Sequence, residues 1–177
     1  MALPVCTPVS YPRGHGCPWR RHLRTLTVPC RSGMLGAVMD FDYASAASRH
    51  LHDASLLLAG SRYDSAAYLS GYVAECGLKA VIEVAGQRVP FVHDLAKLGR
   101  QYLVLAADLS LATRYYPVDL GPDLDLLADR WTIDLRYVAT GTTAGPDACA
   151  LLLAAEAVYH RTVGRMVLDG FLVRPPL

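Results

Sequence analysis

The sequence predicts an all-α protein, an up-and-down bundle of four long helices that leaves room for a fifth, short helix. Apolar residues recur with helical spacing in several long stretches, which is the pattern of helices with one buried face. Glycine and proline residues separate those stretches, and no stretch shows the alternation of a half-buried strand. Because 53% of the 177 residues are hydrophobic, the chain also has enough apolar surface for a core.

The first two helices are predicted to be antiparallel neighbours. Asp42 or Ser45 can cap a first helix that runs to about Ala59. A tight turn at residues 60–61 follows it. Helices that are joined by so short a connection pack against each other.

The second helix, over residues 62–86, is predicted to be the centre of the bundle. Ser61, with Asp64 three residues later, resembles a capping box at its start. Small residues such as Gly71 recur at helical spacing, although glycine costs about 1 kcal/mol relative to alanine within a helix. This cost indicates that a neighbouring element packs closely there. A helix that is weakly polar on most sides is expected to be buried.

Aspartate and proline mark the start of three further helices. Asp94 can cap the third, while Pro122 and Pro146 stand at the first turns of the fourth and the last. The intervening stretch, 109–121, is less regular and leaves room for a short helix at about 111–116. The three predicted helices cover residues 94–108, 122–138 and 146–170.

The first 38 residues differ in composition from the rest of the chain. They hold five arginines and no acid, whereas residues 39–177 carry 12 basic and 16 acidic residues. They are also rich in proline and lack apolar periodicity, so we predict a disordered segment before a helical domain at 39–177. Three interpretations stay open: a basic arm for nucleic acid, an organelle-targeting segment, or residues upstream of a true start at Met34 or Met39. We favour the last, because the composition changes abruptly at Met39.

The cysteines and the apolar runs predict a reduced, cytoplasmic protein. Five cysteines are an odd number, and those in the first 38 residues have no spacing typical of a zinc site. No apolar run reaches the roughly 18 residues that a membrane span requires. We therefore expect no metal, no cofactor and no membrane association.

Several stretches of the sequence resemble the HEPN domain family. The opening stretch SRHLHDASLLLAGSRYDSAAYL leads into the second helix, which contains AAYLSGYVAECGLKAVIE. Two further stretches are HDLAKL at the third helix and DRWTIDLRY in the fourth. The resemblance covers about residues 40–170. It implies an up-and-down helical bundle, often dimeric, in toxin–antitoxin or defence systems beside nucleotidyltransferase partners. It also implies that metal-independent cleavage of RNA is a common activity of such proteins.

The ribonucleases of that family carry an arginine followed, after four to six residues, by a histidine on a helix near the dimer interface. Arg136 stands where this arginine is expected, but no histidine follows it at that spacing. Arg88 and His93 do have the spacing, with four residues between them, but Pro90 places them in a loop. This departure from the family pattern weighs against RNA cleavage.

Glu75 and Lys79, four residues apart on the second helix, are predicted to lie in the interior. A buried carboxylate requires a partner, and Arg136 is the expected partner of Glu75 because its guanidinium suits a carboxylate. This interpretation is a polar contact between central helices. In the alternative, Lys79, Arg136 and Tyr137 hold a phosphate.

His93 begins the third helix together with Asp94. The structural interpretation is a helix cap plus a histidine bonded to nearby backbone. In the functional alternative, His93 faces the long helix near a phosphate, where an imidazole can take and give a proton near neutral pH.

Other polar and aromatic residues are predicted to be structural. On the first helix, His50, His52 and Asp53 are expected to be solvated, since two ligands do not make a metal site. The net negative charge of residues 39–177 argues against strong non-specific binding to a phosphate backbone. Four aromatic residues are expected in the core or an interface, with stacking on bases as the alternative: Tyr72, Tyr115, Tyr116 and Trp131.

The predicted function is a HEPN-type nucleotide- or RNA-binding module, acting as a homodimer and as the toxin of a toxin–antitoxin or defence system. A nucleotidyltransferase-type antitoxin is the expected partner. For RNA cleavage, Arg136 would stabilise the phosphate and His93 would act as acid or base. The alternative is a non-catalytic protein-interaction module of the same fold. The candidate ligand-binding residues are Tyr72, Glu75, Lys79 and Tyr137.

Overall fold

The computed structural model describes residues 41–107 and 120–172, which form an all-α helical bundle and contain no strand. The fold class predicted from the sequence is confirmed. A 3-10 helix, Ile133–Tyr137, follows α4, and a π-helical turn, His160–Gly164, joins α5 to α6. The α-helices are α1 (Tyr43–Ala59), α2 (Tyr63–Val84), α3 (Leu95–Ala107), α4 (Gly121–Arg130), α5 (Gly145–Tyr159) and α6 (Arg165–Leu168).

The start of α1 agrees with the prediction, but the start of α2 does not. Asp42 is the N-cap of α1, and its carboxylate accepts a hydrogen bond from the Ser45 backbone N–H at 2.8 Å. Ser61 adopts a positive φ of 57° in the turn between the helices, and Arg62 takes the N-cap position of α2. The predicted capping box of Ser61 and Asp64 is therefore wrong, because the serine lies one residue too early.

Helix α2 is the central element, as predicted, and 14 of its 22 residues are buried. The small residues of the helix allow two close approaches. A Cβ atom on Gly71 would overlap the indole ring of Trp131, and one on Gly77 would lie 2.6 Å from Thr162 Oγ1. The absence of a side chain at these glycines therefore has a packing role that offsets their cost within a helix.

The fourth helix is shorter than predicted. It ends at Arg130, and Trp131 is extended, with φ −108° and ψ 131°. The Trp131 side chain is buried against α2, where its Nε1 donates a hydrogen bond to the backbone oxygen of Tyr68 at 2.8 Å. The predicted helix through Val138 is wrong because this tertiary contact turns the chain out of the helix, even though the apolar spacing continues.

The last predicted helix is present but contains a π-helical turn. Thr162, in this turn, is fully buried against Gly77 and donates a hydrogen bond from Oγ1 to the backbone oxygen of Val158 at 2.8 Å. The helical region then ends near Gly170, which has a positive φ of 76°.

The core has two parts along α2. One part surrounds the C-terminal half of the helix, where Leu78 and Ile82 pack with residues such as Leu98 and Tyr102. The other surrounds its N-terminal half and includes Trp131 with several residues of α5. The predicted segment 1–38, the short helix at 111–116 and the residues Tyr115 and Tyr116 lie outside the described residues.

Candidate functional site

The buried carboxylate of Glu75 is the centre of a polar cluster in α2. The residue is 3% exposed, and Lys79, one turn later and 5% exposed, places its Nζ 2.8 Å from Oε1. The ammonium group of Lys79 also lies 5.7 Å from the centre of the Tyr43 ring. The predicted interior pair of Glu75 and Lys79 is thus present. Because both side chains are nearly excluded from solvent, they contact other residues of the protein rather than a ligand in solution.

The third member of this cluster is His93, from the loop before α3. Its Nδ1 lies 2.9 Å from Glu75 Oε2 and 3.1 Å from Oε1. Because a carboxylate only accepts hydrogen bonds, Nδ1 must carry the proton, and the Nε2 of the neutral ring is left as an acceptor. The His93 side chain is 40% exposed. The Glu75 carboxylate therefore fixes the tautomer of a histidine that solvent reaches.

Asp94 holds the backbone beside His93. Its carboxylate accepts a hydrogen bond from the Lys97 N–H at 2.8 Å, so the predicted cap of α3 is confirmed. The cap sets the direction in which the chain enters α3 and with it the position of the preceding histidine. His93 bonds to a side chain of the long helix rather than to nearby backbone.

Arg136 does not pair with Glu75, so that prediction is wrong. The 3-10 helix places the exposed guanidinium of Arg136 4.9 Å from the centre of the Tyr137 ring, and this ring is itself 75% exposed. The expected contact assumed a continuous fourth helix through Arg136. Since α4 ends earlier, Arg136 projects from a different element.

Tyr72 is surrounded by other rings, which we call the Tyr72 cluster: His50, Tyr68, Tyr72, His93 and Trp131. The ring centres of its four neighbours lie 5.1 to 6.2 Å from that of Tyr72. The Tyr68 and Tyr72 hydroxyls are also 3.0 Å apart and hydrogen-bonded. The cluster therefore places His93 on the same aromatic surface as the two tyrosines.

The charge of Arg136 also acts on this cluster. Burial raises the pKa of the Tyr72 phenol, and the hydrogen bond with Tyr68 acts in the same direction. The positive charge of Arg136 acts in the opposite direction and lowers that pKa. Arg136 and His93 therefore both influence Tyr72: Arg136 acts through its charge, and His93 through a ring contact.

His50 is half-buried, which corrects the prediction that it is simply solvated. Its Nδ1 is buried and has no hydrogen-bond partner, and its ring lies 5.5 Å from that of Tyr72. Burial lowers the pKa of His50, and the nearby charge of Arg49 lowers it further. His52, by contrast, is exposed, as predicted.

An open groove of about 510 Å³ lies at the start of α2. We call it the Arg62–Arg136 groove, after the two basic residues of its lining, which also includes Asp64 and Tyr68. Arg62 and Tyr68 did not stand out in the sequence. The spacing of Tyr68 and Tyr72, four residues apart on one helix, was the available signal for the tyrosine pair. No comparable signal existed for Arg62.

Metal ligands do not converge in residues 41–107 and 120–172, where no group of three or more His, Cys, Asp or Glu side chains can hold an ion. Within the same residues, no helix is long and apolar enough to cross a membrane.

The family model for the HEPN domain matches residues 42–165. This chain belongs to the HEPN family. The match covers the helices from α1 to the π-helical turn and includes the Tyr72 cluster and the Arg62–Arg136 groove. No curated protein and no solved structure is similar enough to this HEPN chain to count as a match.

Proposed function

We propose that this HEPN chain binds RNA at the Tyr72 cluster and cleaves it with His93 and Arg136. One observation carries the proposal: the buried Glu75 carboxylate fixes the tautomer of a half-exposed histidine at the edge of an aromatic surface. A carboxylate that holds a histidine in one tautomer and orientation favours the use of that histidine in proton transfer. The half-buried rings of Tyr68 and Tyr72 and the exposed ring of His93 also offer surfaces on which the bases of an RNA can stack.

In the proposed reaction, His93 Nε2 accepts the proton of a ribose 2′-hydroxyl. The resulting oxygen attacks the adjacent phosphorus, and a 2′,3′-cyclic phosphate forms as the bond from phosphorus to the 5′-oxygen breaks. The departing 5′-oxygen takes the proton back from the imidazolium. Arg136 offsets the negative charge that grows on the non-bridging phosphate oxygens. Glu75 stabilises the transient imidazolium, and Lys79 holds the carboxylate in place.

RNA cleavage is best tested with a fluorescent single-stranded RNA and with the variants His93→Ala and Arg136→Ala. We expect each to lower the rate at least about 100-fold, a typical contribution of acid–base or charge stabilisation. The matched control is His52→Ala, since His52 is an exposed histidine on α1 outside the cluster. Cleavage that persists in both variants would reject these two roles.

A protein-interaction module is the second candidate function. Phe91 is 88% exposed, its ring lies 6.2 Å from that of His93, and the Tyr137 ring is 75% exposed. Exposed aromatic residues are typical anchors of protein interfaces. Two results together would favour this function. The wild-type protein neither cleaves nor binds RNA, and its self-association is lost in Phe91→Ser or Tyr137→Ser.

We further propose a homodimer that acts in the cytoplasm as the toxin of a toxin–antitoxin or defence system. The resemblance of the sequence to such HEPN proteins supports this part of the proposal, with a nucleotidyltransferase-type protein as the partner. The molar mass in solution tests the dimer. Growth arrest on expression, relieved by the product of an adjacent nucleotidyltransferase gene, tests the biological setting.

A further inference from the structure

The Arg62–Arg136 groove contains two guanidinium groups that lack an acidic partner. Arg62 is exposed at the N-cap of α2, and Arg136 is exposed on the 3-10 helix. Neither forms an ion pair within the described parts of the chain, 41–107 and 120–172. Guanidinium groups bind phosphate through charge-assisted hydrogen bonds, so two such arginines in the lining of one groove favour a phosphate ligand.

The acid that lines this groove, Asp64, is already occupied. Its two carboxylate oxygens accept hydrogen bonds from the backbone N–H groups of Gly141 and Thr143, at 2.6 and 2.7 Å. These bonds tie the loop after the 3-10 helix to α2, so that the loop forms part of the wall. Within residues 41–107 and 120–172, Asp64 forms no ion pair with either arginine, so its carboxylate does not neutralise them through a direct contact.

Tyr68 connects the groove with the Tyr72 cluster. Tyr68 lines the groove, and its hydroxyl is hydrogen-bonded to that of Tyr72. Arg136 likewise lines the groove and influences the Tyr72 phenol by its charge. A ligand in the groove would therefore lie beside the surface to which we assign His93.

We propose that the Arg62–Arg136 groove binds one nucleoside monophosphate unit, with its phosphate between Arg62 and Arg136 and its base against Tyr68. The volume of about 510 Å³ lies in the range of small-molecule sites. The unit is either part of an RNA strand or a free nucleotide. This inference rests on the proposed function, since it makes the groove a subsite next to the reacting phosphate.

Calorimetry with adenosine 5′-monophosphate tests the groove directly, without any need for cleavage. We expect Arg62→Ala and Arg136→Ala each to weaken binding about 10-fold to 100-fold, the effect of losing a hydrogen bond to a charged group. Arg62→Lys should restore only part of the affinity, because lysine lacks the planar fork. All three variants change exposed residues, and thermal melts verify that they fold.

The matched control is Arg88→Ala. Arg88 is exposed beyond the opposite end of α2, whose 22 residues span about 33 Å at about 1.5 Å per residue. This variant should bind the nucleotide as the wild type does. Binding that is absent in the wild type, or equal in Arg62→Ala and wild type, would overturn the inference.

A short single-stranded RNA distinguishes the two sources of the ligand. If the site serves RNA, the oligonucleotide binds more tightly than the mononucleotide, and Arg62→Ala weakens both. If the site serves a free nucleotide, the oligonucleotide binds no better. Nucleotide binding that depends on Arg62 in a protein that does not cleave RNA would refute the proposed cleavage and leave the groove assignment intact.

Discussion

The Nδ1 atom of His93 lies 2.9 Å from Oε2 of Glu75, and this contact ties the loop before α3 to the middle of the central helix. Lys79 binds the other carboxylate oxygen at 2.8 Å. The carboxylate is nearly excluded from solvent, while the histidine is not. One buried acid therefore satisfies a buried ammonium group and orients an accessible imidazole.

Replacement of Glu75 by glutamine should lower the free energy of unfolding by more than about 1 kcal/mol, because Lys79 would keep a buried charge without a charged partner. Chemical denaturation measures the change. Glu156→Gln is the matched control, since Glu156 is exposed and 3.7 Å from His160; it should change stability by less than about 0.5 kcal/mol. The double variant Glu75→Leu/Lys79→Met should recover much of the loss, as apolar residues can replace a buried ion pair. Equal stability of Glu75→Gln and wild type would contradict this account.

Addition of a methyl group at Gly71 should destabilise the protein by about 1–3 kcal/mol, although alanine is the better helix former. The new Cβ would overlap the indole of Trp131, which is itself held by a hydrogen bond to Tyr68. Gly60→Ala provides the comparison, because Gly60 has a negative φ of −83° and the nearest atom to its added Cβ is 3.4 Å away. Thermal melts of the two variants should differ clearly. A Gly71→Ala protein as stable as the Gly60→Ala protein would show that the indole can move at little cost.

His50 should make the folded protein less stable in mild acid. Burial lowers its pKa below the ordinary value of 6.5, so the unfolded chain takes up more protons as the pH falls below that value. The folded protein therefore keeps its full stability above the pKa of His50 in the unfolded chain, and it loses stability as the pH falls below that value. Melting temperatures between about pH 7.5 and 5 should decrease more in the wild type than in His50→Leu. His52→Leu, at an exposed site, should retain the wild-type dependence; identical curves for all three proteins would exclude His50 as the cause.

Removal of the Asp64 carboxylate should loosen the loop that lines the groove. Hydrogen bonds from Gly141 and Thr143 lower the pKa of Asp64 below 3.8, so the ionised form that accepts them persists at and above that pH. In Asp64→Ala the amide hydrogens of these two residues should exchange faster, whereas those in the middle of α2 should not change. Amide exchange by nuclear magnetic resonance at near-neutral pH measures both sets. Unchanged exchange at Gly141 and Thr143 would show that other contacts hold the loop.

The sequence predicted correctly the features that depend on local chemistry. Side-chain caps at Asp42 and Asp94 place the starts of α1 and α3 because a carboxylate satisfies free backbone N–H groups within three residues. The weakly polar pattern and the small residues of α2 identified the central helix, since a helix without a polar face must be covered. The resemblance to the HEPN family also came from these local stretches.

The spacing of residues along the sequence did not predict the contacts between distant parts of the chain. The apolar period continues beyond Arg130, yet Trp131 leaves the helix to fill the space above Gly71. Because of this contact, Arg136 lies on a 3-10 helix instead of the predicted fourth helix. It is therefore not in the position from which it was expected to pair with Glu75. The pairing of His93 with Glu75 joins residues 18 positions apart across a loop, which no helical period describes.

The sequence by itself therefore determined the helical class, the central helix, the family and the interior pair of Glu75 and Lys79. Only the tertiary structure decided that His93 completes this pair, that its ring lies against Tyr72, and that Arg62 shares a groove with Arg136. The reason is physical. Helix period and caps depend on neighbours within about four residues, whereas the choice among several hydrogen-bond donors for one buried carboxylate depends on where packing ends each helix.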